Sequence, residues 1–204
     1  MAAAQKAPTL IEEVRRRQIV DSAIETIAQR GFSHTTLNEI AKKAGVSTGV
    51  ITYHFKNKDD LIEQSIKKLL DAPNAYVISC VDEQSTHRDR LRAYITANIE
   101  FMREHRSHSV ALLYSIGSIG SAQERHRIMA RQHAKIRKYL SKILKAGQEV
   151  EEFGAFHAET VAQILFAALE GVMLQWVLDE EAIDLALCAD ELIQLAERHV
   201  LSAS

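Results

Sequence analysis

Nine histidines and 27 carboxylates give this 204-residue chain the material for metal or acid–base chemistry, but their spacing does not assemble it. His105 and His108 fall on one helical face with Glu104 adjacent, and His126 and His133 stand two turns apart. Neither group completes a metal-ligand or catalytic set. No glycine-rich phosphate loop or nucleophile motif occurs. An enzyme, a resident metal and a cofactor are therefore not expected. The chemistry of Thr36 to Phe55 is of another kind. Thr36-Leu37-Asn38-Glu39 can close a capping box, in which hydroxyl and carboxylate satisfy each other's backbone N–H groups. Gly45 can take the left-handed conformation that ends a helix begun there. Ser47 can cap a third helix running to Phe55. With small Ala41 at the crossing and Ile40, Val46 and Ile51 filling the space between, two short helices meet across a three-residue turn. Those are the requirements of a helix-turn-helix.

The elements that must position this segment are helical throughout. Pro8 and Pro73 are the only prolines, glycine is sparse, and apolar residues recur at helical rather than alternating intervals. Residues 1–9 read as a tail. A first helix from Leu10 to Arg30 carries the stripe Val14, Ile19, Ala23, Ile24 and Ile27 and stops at Gly31. Arg15, Arg16 and Arg17 on its leading turns suit a solvated face or phosphate contact. Residues 59–83 form a helix kinked at Pro73. Further helices are expected at 87–105, 108–116, 122–147, 156–180 and 185–201, with Ser107, Gly117–Ser121, Gly147–Gly154 and Asp179–Asp184 as separators. The predicted fold is all-α, of about nine helices.

Here the sequence resembles a known family. Ile40-Ala41-Lys42-Lys43-Ala44-Gly45-Val46-Ser47, Gly49, Tyr53-His54-Phe55 and Lys56-Asn57-Lys58-Asp59-Asp60-Leu61-Ile62 look like the DNA-binding domain of TetR-type regulators, over about residues 11–62. The resemblance implies an N-terminal three-helix DNA-binding domain (10–57). It also implies a larger helical domain (58–201) that binds a small-molecule effector and dimerises through the last two helices. Thr48, Gly49 and Thr52 then become the base-reading candidates, short enough to approach base edges and thymine methyl groups. Many relatives carry other residues at Thr48 and Thr52, so the operator sequence does not transfer. Tyr53, His54, Lys58 and Thr36 are the candidate phosphate contacts, with Ser47 as the cap. Phe55 reads as packing, and Lys42 and Lys43 as solvated.

In the C-terminal part, Leu91, Ile95, Asn98 and Met102 share one face, so an amide interrupts an apolar stripe. His133 shares a face with Met129, Ile136 and Leu140. Asn98, Met102, His133, Phe101, Tyr114 and Phe166 are candidate ligand contacts, each also readable as core. Val161 to Leu178 is apolar nearly all round and needs two packing partners, its own domain and a symmetry mate. Ala167, Gly171, Leu174, Leu192, Leu195 and Ala196 are the expected dimer contacts. Glu170 in that helix must be paired, protonated or solvated, or must meet a cationic or hydrogen-bonding ligand. The run Ala168–Gly171 through Gln175-Trp176 faintly resembles BetI-like members of the family and implies no ligand.

Charge agrees weakly. Residues 1–60 carry nine basic and seven acidic side chains, a balance of +2, against −2 for the whole chain. Cys80 and Cys188 lack the spacing of a redox or zinc motif and suit a reduced compartment. No signal-peptide stretch is seen, and no segment of about 20 residues reads as apolar enough to span a bilayer, so a cytoplasmic protein without membrane contact is expected. The expected function is a DNA-binding transcriptional regulator, a homodimer on double-stranded operator DNA, released by a small-molecule effector. The alternative is a helix-turn-helix protein without an effector, serving architecture or a protein partner.

Overall fold

The computed structural model describes residues 9–118 and 120–201. Among them are nine α-helices: α1 (Leu10–Arg30), α2 (Leu37–Ala44), α3 (Thr48–His54), α4 (Lys58–Asp82), α5 (His87–Glu104), α6 (Arg106–Ile116), α7 (Ala122–Glu149), α8 (Ala158–Leu178) and α9 (Leu185–Leu201). A short 3-10 turn, Phe32–His34, was not anticipated. Most of the expected tail, residues 1–8, lies outside the described residues. Thr9 does not belong to a tail, because it caps α1 in a box with Glu12.

Local chemistry sets the helix ends. Thr36 and Glu39 form the expected capping box, Gly45 ends α2 at φ 64°, and the Ser47 side chain accepts from the Val50 N–H. Asn57 caps α4 through the Asp60 N–H. Two separators fall elsewhere than the pattern suggested. α5 and α6 break at His105, leaving Ser107 inside α6. Gly147 lies inside α7, where a Cβ would overlap the Phe153 ring, so this glycine makes room for packing and does not end the helix.

Two buried clusters divide the chain. Ile19, Ile24 and Ile27 of α1 pack with Ile40, Ile51, Phe55, Leu61 and Leu69, and α6 adds Ala111. Val14 does not join them; with Leu10 and Ile11 it is exposed. The second cluster collects Val77 and Val81 of α4 with Leu91, Tyr94 and Ile95, Leu140 and Leu144, Leu165, Leu169 and Trp176, and Val200. The clusters meet within α4, between Leu69 and Val77, whereas the boundary expected from sequence falls at residues 57–58. Pro73 sits in that interval.

Polar ties fix α5 against its surroundings. The Glu152 carboxylate accepts from the His87 and Arg88 N–H groups at 2.8 and 2.7 Å, capping α5 from a distant loop. Glu197 of α9 takes a forked pair of bonds from each of Arg88 and Arg92. α8 corrects one expectation. By length and composition alone it could cross a membrane. Here one side of it packs in the second cluster, while Ile164, Leu174 and Leu178 stay exposed.

Candidate DNA interface and effector cavity

α3 is short because Ser47 starts it and Phe55, in extended conformation, ends it. Ile51 faces inward and is fully buried. Gly49, Thr52 and Tyr53 face out, with Thr48 half-buried beside them. The Thr52 hydroxyl donates back to the Gly49 carbonyl at 3.1 Å, so its methyl and lone pairs remain for a base edge. His54 packs edge-on to Tyr53 with ring centres 5.0 Å apart, and Lys58 opens α4 next to them. These candidates therefore occupy one continuous surface.

Thr36 is placed less favourably. Its N–H and its hydroxyl both donate to Glu39 Oε2 at 3.2 Å, and Glu39 is further paired with Arg30. Its donors are committed within the capping box, which weakens the expected phosphate contact.

Three positioning contacts were missed in the sequence. The Tyr53 hydroxyl donates to Glu12 Oε1 at 2.9 Å. Arg16 donates to the His54 carbonyl and lies over the Phe55 ring, 4.4 Å from its centre. Gln18 donates to the Ala44 carbonyl at 2.9 Å, satisfying the C-terminal end of α2. Glu12 is held below the usual carboxylate range by the Thr9 backbone N–H first, then by the Tyr53 hydroxyl. The partners lie 26 to 41 residues apart, beyond the reach of any local motif. The first two contacts tie α3 to α1, and the third ties α2 to it.

A cavity of about 120 Å³ opens between α4, α5, α6, α7 and α8. Of the candidate ligand contacts, Asn98, Phe101, Met102, His133, Phe166 and Glu170 line it. Tyr114 does not; it is half-exposed and off the cavity, because the face of α6 turned inward carries His108, Ser109 and Leu112 instead. Leu69, Leu70, Pro73 and Asn74 of α4 close one wall.

Glu170 is the cavity's carboxylate. It is raised above its ordinary value by burial, against the lowering effect of His133 and Arg137. His133 Nε2 stands 3.2 Å from Glu170 Oε1, and its ring meets Phe166 edge-on at 5.1 Å. Asn98 spends its Nδ2 on the Tyr94 carbonyl at 2.7 Å. His108 reaches the cavity from α6 and is lowered by burial first, then by His105 and Lys68. Among the described residues, no group of three or more metal-ligating side chains occurs.

The expected dimer residues separate into two sets. Ala167, Leu174 and Leu195 are exposed, the last at 61 %, and Gly171 is half-buried with open space where a Cβ would stand. Leu192 packs partly against its own core. Ala196, at 4 % exposure, is turned into that core and is not available to a partner. Ile164 at 61 % and Leu178 at 72 % extend the apolar surface on α8 beyond the residues foreseen.

Comparison with known proteins gives two family matches. The model of bacterial regulatory proteins of the tetR family matches residues 19–64, and that of the BetI-type transcriptional repressor C-terminal domain matches 87–203. The HTH-type transcriptional regulator BetI of Paraburkholderia phymatum is 37% identical over 91 residues, 44% of this chain and 46% of that protein. BetI of Escherichia coli O157:H7 is 25% identical over 176 residues, 85% of this chain and 88% of that one. A solved transcriptional regulator from Saccharomonospora viridis, in complex with choline, superposes with a TM-score of 0.79 at 18% identity, covering 92% of this chain and 98% of that chain.

Proposed function

The chain belongs to the TetR family of bacterial regulatory proteins, with a BetI-type C-terminal domain, and from that premise we propose how this DNA-binding transcriptional repressor reads its operator and lets it go. Two copies join through the exposed apolar faces of α8 and α9 and present two α3 helices to successive major grooves, about 34 Å apart. Thr48, Gly49 and Thr52 approach base edges. Tyr53, His54 and Lys58 hold phosphates, and Ser47 keeps the first turn of α3 in place. The repressor works in the cytoplasm, on double-stranded operator DNA.

One observation carries the release mechanism. α4 begins at Lys58 beside α3 and, without leaving the helix, supplies Leu69, Leu70, Pro73 and Asn74 to the cavity wall. A molecule entering the cavity bears on the same rod that sets the tilt and spacing of the α3 helices. Because coupling is reciprocal, operator DNA must weaken effector binding by the factor by which effector weakens operator binding.

The cavity favours this reading over a helix-turn-helix protein with no effector. Its apolar walls and half-buried Glu170 suit a small organic molecule whose cationic or hydrogen-bond-donating group faces that carboxylate. The choline bound by the Saccharomonospora regulator is of that chemical kind. The test is selection of genomic fragments by the purified protein, followed by titration of the best fragment at two salt concentrations. A pseudo-palindromic site with steep salt dependence, released by small organic cations, is the expected result. Failure to enrich any sequence would overturn the operator assignment.

A further inference from the structure

Beside the effector cavity lies a second chamber of about 190 Å³, between α4, α5 and α7. Asn74, Asn98, Gln132 and Ile136 line both spaces, so the two adjoin along these side chains. Three of the four are polar and hydrogen-bonded. Asn74 donates to the Leu70 carbonyl at 2.8 Å, Asn98 to the Tyr94 carbonyl at 2.7 Å, and Gln132 to Asp71 at 3.2 Å. The second chamber adds Asp71, Lys135, Tyr139 and Tyr94 beside Val77 and Ile78.

Tyr94 is the residue this chamber does not account for. It is only 2 % exposed, and among the described residues its hydroxyl is one of three buried side-chain polar atoms with no hydrogen-bond partner. A buried hydroxyl left unpaired is a standing cost that phenylalanine, identical in shape, would avoid. Its ionisation is pushed up by burial first, then by the charge of Glu170 and by Tyr139, so the phenol keeps its proton and remains a donor.

We propose that the second chamber is part of the effector site, and that the Tyr94 hydroxyl donates a hydrogen bond to a neutral oxygen of the effector, an alcohol, ketone or amide. This rests on the reading of the first chamber as an effector cavity. The effector is then bipartite, with an apolar or cationic portion among Phe166, Met173 and Glu170 and an oxygen acceptor reaching past Asn98 to Tyr94. A neutral oxygen is the acceptor assigned, because Asp71 lines this chamber and Glu170 the adjoining one, so two carboxylates are already in place.

Tyr94→Phe removes the hydroxyl and nothing else, and two simple probes separate the two ends of the site. Hexan-2-one carries an acceptor oxygen and no charge; hexylammonium carries a charge and no acceptor. Their affinities for the full chain are read by chemical-shift titration. The expected result is that Tyr94→Phe weakens hexan-2-one about tenfold, the worth of one good hydrogen bond, and leaves hexylammonium unchanged. The ligand-free variant is expected to melt about 2–4 °C higher, having lost an unpaired buried group. Equal ketone affinity in the two proteins, no ketone binding to wild type at millimolar concentration, or a lower melting temperature for the variant would each overturn the assignment. Operator titration of the wild type, run separately, tests the regulator reading, so the two can fail independently.

Discussion

The Tyr53 hydroxyl on α3 is held by the Glu12 carboxylate on the first turn of α1, 2.9 Å away and 41 residues earlier in the chain. Glu12 also accepts the Thr9 N–H at 2.7 Å, so one carboxylate fixes both the start of α1 and the end of α3.

A phosphate arriving at Tyr53 must take over that hydroxyl from Glu12, and the carboxylate repels it. Glu12→Gln removes the charge and keeps one acceptor oxygen, so it holds the Thr9 N–H or the Tyr53 hydroxyl but not both, because these meet different oxygens of Glu12. It is expected to tighten operator binding about three- to tenfold at low salt, with less effect at high salt. Tyr53→Phe is expected to weaken binding by a similar factor. Fluorescence anisotropy with the selected fragment measures both, and a Glu12→Gln variant that binds DNA more weakly would refute the competition.

Acid stability should be governed in part by Glu197. Its carboxyl is depressed to about 2, by the hydrogen bond from Arg92 first and that from Arg88 second, against the cost of burial. A group depressed in the folded state contributes stability above its unfolded value and loses it as pH falls through the folded one. Wild type should therefore lose stability between roughly pH 4.5 and pH 2, and Glu197→Gln should lose less over that window. At pH 7 the variant is expected to be about 2 kcal/mol less stable, a figure discounted because both arginines are half-exposed. Urea unfolding at pH 7, 5, 4 and 3 checks the sign.

Ile164, Leu178 and Leu195 form the exposed apolar face assigned to the partner copy. Ile164→Glu combined with Leu195→Glu should give a monomer with unchanged helix content and an operator affinity reduced at least about 100-fold, since two half-sites no longer share one protein. Sedimentation and circular dichroism report the two properties separately. A dimer that survives both charges would move the interface elsewhere.

Gly147 and Gly171 provide a matched pair on neighbouring helices. Alanine at 147 overlaps the Phe153 ring and is expected to cost about 1–3 kcal/mol of folding stability. Alanine at 171 meets nothing within its own protomer, so Gly171→Ala is expected to stabilise the isolated chain by about 0.5–1 kcal/mol through helix propensity, while any loss should appear in dimer dissociation.

Where the controlling interaction is local, the sequence was sufficient. Thr36-x-x-Glu39, Gly45 and Ser47 act within one turn, and the ends of α2 and the start of α3 followed from them. The same logic was available in Thr9-x-x-Glu12 but was lost by reading residues 1–9 as a tail. Orientation was harder. Tyr114 was a candidate ligand contact and Ala196 a candidate dimer contact, yet helical spacing does not say whether a residue faces a cavity, a core or a partner. α6 turned Tyr114 outward and α9 turned Ala196 inward. Glu170, Asn98 and His133, which line the cavity, were singled out because a polar residue on an apolar face needs a partner. Tyr94 was not, since an aromatic ring looks like ordinary core until its hydroxyl is seen to be unpaired.

The meeting of the two buried clusters along α4 governs how such proteins can be recombined. A chimera that exchanges reading heads by splicing in the loop before Lys58 would set Leu61, Ile62 and Leu69 against foreign partners and leave Ala111 of α6 facing a stranger. A working graft has its seam at Pro73, where packing changes allegiance, and carries the matching turn of α6 with it. On the proposed coupling, sensor and reading head share this joint, and changes of ligand that reshape the upper half of α4 would reach the operator without a single substitution in α3.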